Sequence, residues 1–248
     1  CAALAEQEPW WEPGTKHGYH AVTFGWLVGE VVRRISGAKS LGTFFRDEIA
    51  RPLGIDCHIG LDASHDGRVA SMINSPPPPP DQPNIFAEVM NNPESVTAKA
   101  FANPPMMMRP GVVNSRDWRG AELPAANGHT TARALARLYG ALSRGGELDG
   151  VRVMKASEIP RCHEEQSYGR DEVLTISTRF SLGFMMSQPD AALGPNPHSF
   201  GHPGAGGSLG FADPDAKIGF GYTMNQMAAG ILIDPRATAL IDAAYQSL

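Results

Sequence analysis

The residues that could do chemistry lie near the two ends of the chain. One group, His17, Tyr19 and His20, precedes a long apolar run. The other is His202, which opens a stretch with five glycines between 201 and 210. Glycine inside a strand usually marks the close approach of a ligand or of another backbone. The second stretch is therefore either a ligand-binding strand, entered at His202, or a glycine-rich loop on a surface hairpin.

Several other kinds of site are not indicated. His17 and His20 have no carboxylate at ligand spacing, so we predict no metal site, and no cofactor is expected. The sequence has no Gly-x-Ser-x-Gly elbow and no phosphate-binding P-loop. The three cysteines, Cys1, Cys57 and Cys162, include no Cys-x-x-Cys pair, which argues against a disulfide framework. Nothing around Cys1 would supply a base or an oxyanion hole, so an N-terminal nucleophile is disfavoured.

Composition narrows the classes of partner. The 248 residues are 42% hydrophobic and 19% charged, with a net charge of -5, which is typical of a globular protein. This charge gives no electrostatic reason to bind nucleic acid or an anionic membrane. No apolar run approaches the roughly 20 residues that span a bilayer. The chain begins at Cys1 without an initiator Met, as a processed form, a lipidated mature terminus or a fragment would, and we favour the fragment.

The pattern of apolar residues predicts the elements that must hold these side chains. Positions 24, 27, 28, 31, 32 and 35 repeat at helical spacing and predict a helix with one buried face, which ends at Gly37. A helix is also predicted at 132–142, capped by Thr130 or Thr131, and another at 237–248. Strands at 180–186 and 218–224 complete an α+β plan.

Two stretches together resemble a known family. Trp11-Glu12-Pro13-Gly14 followed by Tyr19-His20-Ala21, and His202-Pro203-Gly204, resemble the second and third motifs of the serine β-lactamase and penicillin-binding-protein fold. The segments 127–133 and 206–214 fit the same group, and most resemble the class C β-lactamase-like esterases, the family VIII carboxylesterases. The resemblance covers nearly the whole chain.

The resemblance implies a fold and a division of the chain. The fold would be α+β, with an antiparallel sheet flanked by helices and an additional helical region. Residues 1–145 would form the mainly helical region that carries the tyrosine motif. Residues 146–248 would form the C-terminal strands of the sheet and the terminal helix.

The resemblance also implies a serine hydrolase that acts through an acyl-enzyme on a small-molecule ester. Tyr19 would shuttle the proton, His202 would replace the lysine usual in the lactamases, and Ala205 would donate its N–H to the oxyanion. The predicted substrate-binding residues are Trp11, His20, Met107, Gly204, Gly206 and Gly207. The lactamase branch of the family has Asn two residues after the tyrosine and Thr directly after the lysine of the third motif. Here these positions are Ala21 and Pro203, which favours ester over lactam hydrolysis.

The family's nucleophile motif, Ser-x-x-Lys, does not appear upstream of Tyr19. The single Ser-x-x-Lys is Ser36-Gly37-Ala38-Lys39, which follows the tyrosine at a predicted helix end, so Ser36 is not expected to be the nucleophile. We expect a separate N-terminal segment to carry the serine, the lysine and the first strands. A chain without that segment should expose a sheet edge and an apolar face. The alternative is a non-catalytic homologue that binds a peptide or acyl ligand along the glycine stretch.

Two low-complexity runs complete the predictions. The methionines at 106–108 lie between prolines and could line a lipophilic pocket or fill core, and the flanking prolines favour the pocket. With Trp10 and Trp11 they would suit an apolar acyl or alcohol group. The five prolines at 76–80 predict an extended, rigid surface loop.

Overall fold

A computed structural model of the chain describes residues 1–75, 85–105 and 109–248. The proline run at 76–80 and the methionine run at 106–108, which includes Met107, lie outside these ranges. The interpretation of both runs therefore stays a prediction.

The described helices are spread along the whole chain. The α-helices are α1 Ala2–Glu6, α2 Thr23–Ser36, α3 Leu41–Phe44, α4 Arg51–Leu53, α5 Ile85–Asn91, α6 Val96–Phe101, α7 Arg116–Gly120, α8 Ala132–Ser143 and α9 Pro235–Gln246. A π-helical segment, Phe45–Ala50, joins α3 to α4, so the chain is helical without interruption from Leu41 to Leu53. Short 3-10 helices occupy Ala63–Arg68, Val112–Asn114 and Ala156–His163. None of the helices in the described ranges is long and apolar enough to cross a membrane.

The strands form one main sheet and two small ribbons. The ribbons pair β1 Cys57–His58 with β2 His129–Thr130, and β3 Glu147–Leu148 with β4 Val151–Arg152. The main sheet contains β5 Ser167–Arg170, β6 Ser177–Phe180, β7 Met185–Met186, β8 Phe200–Pro203, β9 Leu209–Asp213 and β10 Ile218–Tyr222. These six strands are antiparallel neighbours in the order β10-β9-β8-β7-β6-β5. The α+β plan and the antiparallel sheet expected from the sequence are confirmed.

Two helices cover the two faces of the main sheet. Leu209 and Phe211 of β9 are buried against Ala237 and Ile241 of α9. The alternate residues of β9 face α8, because side chains alternate across a strand. At Gly210 an added Cβ would lie 2.2 Å from the Cε2 atom of Tyr139 on α8. Glycine is therefore required at this position for close packing of helix on sheet.

The helix ends follow the capping residues in the sequence. Ser40 caps α3 by accepting the N–H of Thr43, and Thr131 caps α8 by accepting the N–H of Ala134. Gly37 ends α2 in the left-handed conformation, with φ of 72°. The predicted ends at Thr131 and Gly37 are confirmed, and all three caps rest on local chemistry.

Helix α2 has the predicted extent but not the predicted orientation. Its buried residues are Gly25 and Gly29, and an added Cβ at Gly25 would lie 2.6 Å from the backbone N of Ala125. The large apolar side chains face outward instead. Their exposed fractions are 45% for Phe24, 39% for Leu27, 45% for Val28, 57% for Val31 and 80% for Ile35. We call these five residues the α2 stripe. The expected buried face is wrong for this chain, because the small residues allow the closer contact.

The glycine stretch is not one continuous strand. Residues 204–208 form a turn between β8 and β9, and His202 is the third residue of β8. A second turn leads from β9 to β10, as the Asp-Pro-Asp sequence at 213–215 predicts. The stretch therefore belongs to a three-stranded meander of β8, β9 and β10, and its glycines pack against different neighbours. The strand predicted at 180–186 is likewise divided, into the end of β6 and all of β7.

Candidate active site

Tyr19 lies in a loop that is fastened to the turn between β5 and β6. Trp11 packs on this loop, since an added Cβ at Gly18 would lie 2.7 Å from the Cη2 atom of its indole. The indole N–H of Trp11 donates to the Lys16 carbonyl at 3.2 Å. The backbone N–H of Glu172 donates to the His17 carbonyl at 3.0 Å. Trp11 therefore supports the loop from outside, next to Tyr19.

Asp171 is the centre of these contacts. It is fully buried, and its Oδ1 accepts the backbone N–H groups of Tyr19 at 3.1 Å, of Val173 at 2.8 Å and of Leu174 at 2.8 Å. The hydroxyl of Thr178 donates to Oδ2 at 3.3 Å and lies 3.0 Å from Nε2 of His17. A buried carboxylate must be hydrogen-bonded to be tolerated, and this one uses its bonds to fix the backbone of Tyr19.

The structure brings Tyr19 and His202 together. Their rings are stacked with centroids 5.8 Å apart and an interplanar angle of 26°. Phe180, at the end of β6, completes a three-ring cluster, with centroids 6.3 Å from Tyr19 and 6.4 Å from His202. Neither ring hydrogen-bonds to the other, as far as the described residues go. The sequence linked the two residues only by family resemblance, and the sheet places them side by side.

His202 is held as a neutral imidazole. Its Nδ1 lies 2.6 Å from the Pro203 carbonyl, which can only accept, so Nδ1 carries the proton and Nε2 is left as an acceptor. Burial lowers the pKa of His202 below its usual value, with a smaller opposing effect from the Pro203 hydrogen bond. A neutral side chain at this position supplies no positive charge to its neighbours.

The hydroxyl of Tyr19 is held in its protonated form. Burial raises the pKa of Tyr19 above its usual value of 10.0, and the negative charge of Asp171 raises it further. In the described ranges no lysine or arginine forms an ion pair or hydrogen bond with Tyr19. A basic role for this tyrosine therefore requires a cation from outside these residues.

Ala205 presents a free backbone donor in the turn after β8. Within the described chain its N–H has no acceptor, whereas those of Gly204, Gly206 and Gly207 donate to Ser208, Gly230 and Gly204. Ala205 is exposed, in contrast to the buried residues that follow it. A backbone N–H without an acceptor in the described chain is available to an anionic oxygen.

Backbone conformation and close packing also explain why the predicted substrate-binding positions 204, 206 and 207 are glycine. Gly206 has φ of +84° and Gly207 has φ of +117°, which favour glycine over residues with a Cβ. An added Cβ would lie 2.9 Å from Met227 at Gly206, and 2.6 Å from Oδ2 of Asp234 at Gly207. At Gly204 it would lie 2.2 Å from the Ser208 hydroxyl. The shape of this turn therefore accounts for the three glycines without a ligand.

His20 and Ser36 make their side-chain contacts outside the ring cluster. His20 is exposed, and its Nδ1 lies 2.7 Å from the Thr23 hydroxyl at the start of α2. Ser36 is the last residue of α2, roughly 20 Å along the helix from Thr23 at 1.5 Å per residue. Its hydroxyl donates to the Val32 carbonyl at 2.7 Å and accepts from Ala38 at 3.2 Å, so it is engaged at the helix end.

Sequence reasoning missed several residues around this site. Asp171, Thr178 and Phe180 support Tyr19, and Asp234 with Arg236 contacts the turn of Ala205. Asp side chains often accept backbone N–H groups two or three residues further along in a turn, as Asp171 does, so this turn chemistry could have indicated Asp171. Asp234 has a local signature too, because an Asp directly before Pro235 is a typical N-cap at the start of a helix. Thr178, Phe180 and the contact of Arg236 with the turn have none, because they depend on residues that are distant in sequence.

The described residues contain no cluster of three or more His, Cys, Asp or Glu side chains arranged to hold a metal ion. His17 and His20, the nearest pair in sequence, each contact a threonine hydroxyl.

Known proteins similar to this chain include esterases and a penicillin-binding-protein homologue. The esterase/β-lactamase LipL of Mycobacterium tuberculosis is 33% identical over an alignment of 240 residues, which covers 90% of this chain and 51% of LipL. A solved family VIII carboxylesterase is 43% identical with a TM-score of 0.87, and the match covers 100% of this chain and 63% of that one. A penicillin-binding-protein homologue from Caulobacter crescentus is 40% identical with a TM-score of 0.85, at coverages of 100% and 63%.

The chain spans about half the length of LipL and under two thirds of the two solved structures. The model of the family described as Beta-lactamase matches residues 1–243. The chain therefore belongs to the Beta-lactamase family and has the β-lactamase and penicillin-binding-protein-like fold, which confirms the family and the fold expected from its sequence.

Proposed function

We propose that the protein containing this chain is a carboxylesterase that works through an acyl-enzyme. The observation that carries the proposal is the stacking of Tyr19 on His202, beside a turn in which Ala205 has a free N–H. This arrangement offers a hydroxyl for proton transfer and a donor for a developing oxyanion.

The reaction would run in two steps. A lysine cation beside Tyr19 would stabilise its tyrosinate form, which takes the proton of the serine hydroxyl as that hydroxyl attacks the ester carbonyl. The carbonyl oxygen becomes an oxyanion that faces the N–H of Ala205. Collapse of this intermediate breaks the bond to the alcohol, which leaves with the proton and forms the acyl-enzyme. Water then attacks the acyl-enzyme by the same route, so acid and alcohol are the products.

The serine and the lysine would come from a segment outside these 248 residues. The raised pKa of Tyr19 supports this, since the proposed mechanism needs a cation next to the hydroxyl. The α2 stripe supports it as well, because five large apolar side chains on one helix face are usually covered. Strand β10 is the end of the main sheet and pairs with β9 alone among the described strands, which leaves an edge for further strands.

Esters are favoured over lactams as substrates. Ala21 and Pro203 stand where the lactamase branch has hydrogen-bonding side chains. Trp10, which is 47% exposed, and Trp11 would offer apolar surface to an acyl or alcohol group near Tyr19. Met107 would add to this surface. A polar residue at Met107 should then shorten the preferred chain length of ester substrates, and an unchanged preference would contradict this role.

Labelling with a serine-directed fluorophosphonate tests the proposal. The intact protein should be labelled, and Tyr19→Phe should slow the labelling by a factor of about 10²–10⁴, the usual contribution of a general base. The matched control is Tyr168→Phe, an exposed tyrosine on β5 that should leave the rate unchanged.

Two outcomes would contradict parts of the proposal. An intact protein without Ser-x-x-Lys upstream that binds acyl ligands, yet is never labelled, would favour the non-catalytic binding protein. Labelling of the 248-residue chain alone, lost in Ser36→Ala, would show that the nucleophile is Ser36.

A further inference from the structure

The turn that carries Ala205 is attached to the start of helix α9. We call residues 204–207 the oxyanion turn. The Gly204 carbonyl accepts the N–H of Gly207 at 3.0 Å, inside the turn. Because a trans peptide is planar, its N–H points opposite to its carbonyl, so this bond also sets the direction of the Ala205 N–H. Whatever holds Gly207 in place therefore orients the proposed oxyanion donor.

Gly206 connects the turn to two other segments. Its N–H donates to the Gly230 carbonyl at 3.2 Å, and its carbonyl accepts the N–H of Ala228 at 2.9 Å. The same carbonyl accepts Nη2 of Arg236 at 3.2 Å, and Nη1 of Arg236 donates to the Gln226 carbonyl at 3.0 Å. One guanidinium therefore joins the oxyanion turn to residues 226–230.

Asp234 holds the guanidinium in this position. Its side chain is 3% exposed, and it accepts Nε of Arg236 on Oδ1 and Nη2 on Oδ2, both at 2.8 Å. It also caps α9 by accepting the backbone N–H of Arg236 at 2.7 Å. A bidentate pair of this kind restricts both side chains in orientation as well as in distance. The absence of a Cβ at Gly207 makes room for the same carboxylate.

We propose that Asp234 and Arg236 are positioning residues, which fix the oxyanion turn so that the N–H of Ala205 is already oriented when charge develops. The ion pair contacts the turn through Gly206 and Gly207 and does not touch the substrate. Electrostatic stabilisation of a transition state depends on donors that need no rearrangement, so loosening the turn should affect the chemical step more than substrate binding. The catalytic part of this proposal rests on the proposed esterase function.

Amide hydrogen exchange in the 248-residue chain tests the attachment by itself. The Gly206 N–H is the probe, because its bond to Gly230 forms one side of the turn. Arg236→Met should increase the exchange rate of this N–H at least tenfold. Arg236→Lys keeps the charge but loses the bidentate guanidinium, so its exchange rate should lie between those of the wild type and Arg236→Met. Arg161→Met is the matched control, since Arg161 pairs with Glu158 on an exposed helix face. Unchanged exchange in Arg236→Met would overturn the proposal.

Kinetics of the intact protein test the catalytic consequence. For hydrolysis of a p-nitrophenyl ester, Arg236→Met should lower kcat about tenfold or more with little change in KM. Arg236→Lys should recover part of the loss, and Arg161→Met should leave kcat unchanged. Equal losses in both methionine variants would reveal a general stability effect and overturn the positioning role.

A second variant covers the case in which Arg236→Met does not fold. Asp234→Asn retains an N-cap acceptor for α9 but removes the charge that orients Arg236. It should reproduce the faster Gly206 exchange and the selective loss of kcat, and a wild-type result in both would overturn the proposal. If the intact protein hydrolyses no ester, the esterase proposal fails, while the exchange measurement still decides whether the pair holds the turn.

Discussion

The carboxylate of Asp171 accepts the backbone N–H of Tyr19 at 3.1 Å, although 152 positions separate the two residues in sequence. Through this bond the turn between β5 and β6 holds the backbone that carries the Tyr19 ring, which stacks on His202. The same carboxylate raises the pKa of the Tyr19 hydroxyl, so one side chain affects both the position and the charge state of the candidate proton shuttle.

Asp171→Asn should therefore destabilise the chain and loosen the tyrosine loop. The amide retains one acceptor but brings an NH₂ group toward the Thr178 hydroxyl, and an unsatisfied buried group costs about 1–3 kcal/mol. Urea unfolding measures the loss. The control is Asp149→Asn, where the carboxylate is 64% exposed and pairs with Arg137 at the surface. If both variants unfold at the same urea concentration, Asp171 does not have this structural role.

Stability should depend on pH through His202. Burial keeps its folded pKa below the usual value of about 6.5, so the unfolded chain binds a proton first as pH falls. The free energy of unfolding should therefore decrease as pH falls from about 6.5 toward the folded pKa, by up to about 1.4 kcal/mol per pH unit.

His202→Gln should make this pH dependence shallower. Burial also lowers the pKa values of His129 and His163, and both remain in the variant, so part of the slope should persist. Chemical denaturation between pH 5 and pH 8 measures both proteins, within the range where these groups titrate. Identical slopes would contradict a buried neutral imidazole at His202.

The α2 stripe should tolerate charge in this chain. Val31→Lys and Ile35→Lys replace residues that are 57% and 80% exposed, so the free energy of unfolding should change by no more than about 0.5 kcal/mol. Binding of the dye ANS should decrease, since apolar surface is removed. Val22→Lys, at a residue 5% exposed beside the same helix, should instead destabilise strongly.

In the intact protein, by contrast, a lysine in the α2 stripe should lower the free energy of unfolding. If a further segment covers the stripe, Val31→Lys should cost about as much there as a buried charge does, and activity should decrease with stability. A stripe that accepts lysine equally well in both forms would be an exposed surface of the complete protein.

Gly210→Ala should destabilise the chain, because this glycine allows helix α8 to pack closely on the sheet. The new methyl group would meet the Tyr139 ring, and overpacking of this kind typically costs about 1–3 kcal/mol. Gly128→Ala is the control, because nothing lies within 4 Å of the added Cβ. Combining Gly210→Ala with Tyr139→Leu should restore part of the stability, and strict additivity of the two losses would contradict a direct contact.

Much of the local structure could be read from the sequence. Helices α2 and α8 appear within a residue or two of their predicted bounds, because helical periodicity and caps at Thr131 and Gly37 act over a few residues. The sequence predicts that the glycine stretch is either a ligand-binding strand or a glycine-rich loop on a surface hairpin, and the structure divides it between β8, a turn and β9. Its glycines serve a turn and two helix contacts, which depend on Tyr139, Met227 and Asp234.

The sequence by itself determined the family, the α+β plan and the pairing of a tyrosine motif with a histidine motif, since these follow from short patterns. Only the tertiary structure decided that Tyr19 is fixed by Asp171, that the α2 stripe faces outward, and that Arg236 contacts the turn of Ala205. The physical reason is distance along the chain. Periodicity and capping act between near neighbours, whereas burial and charge pairing depend on residues that only folding brings into contact.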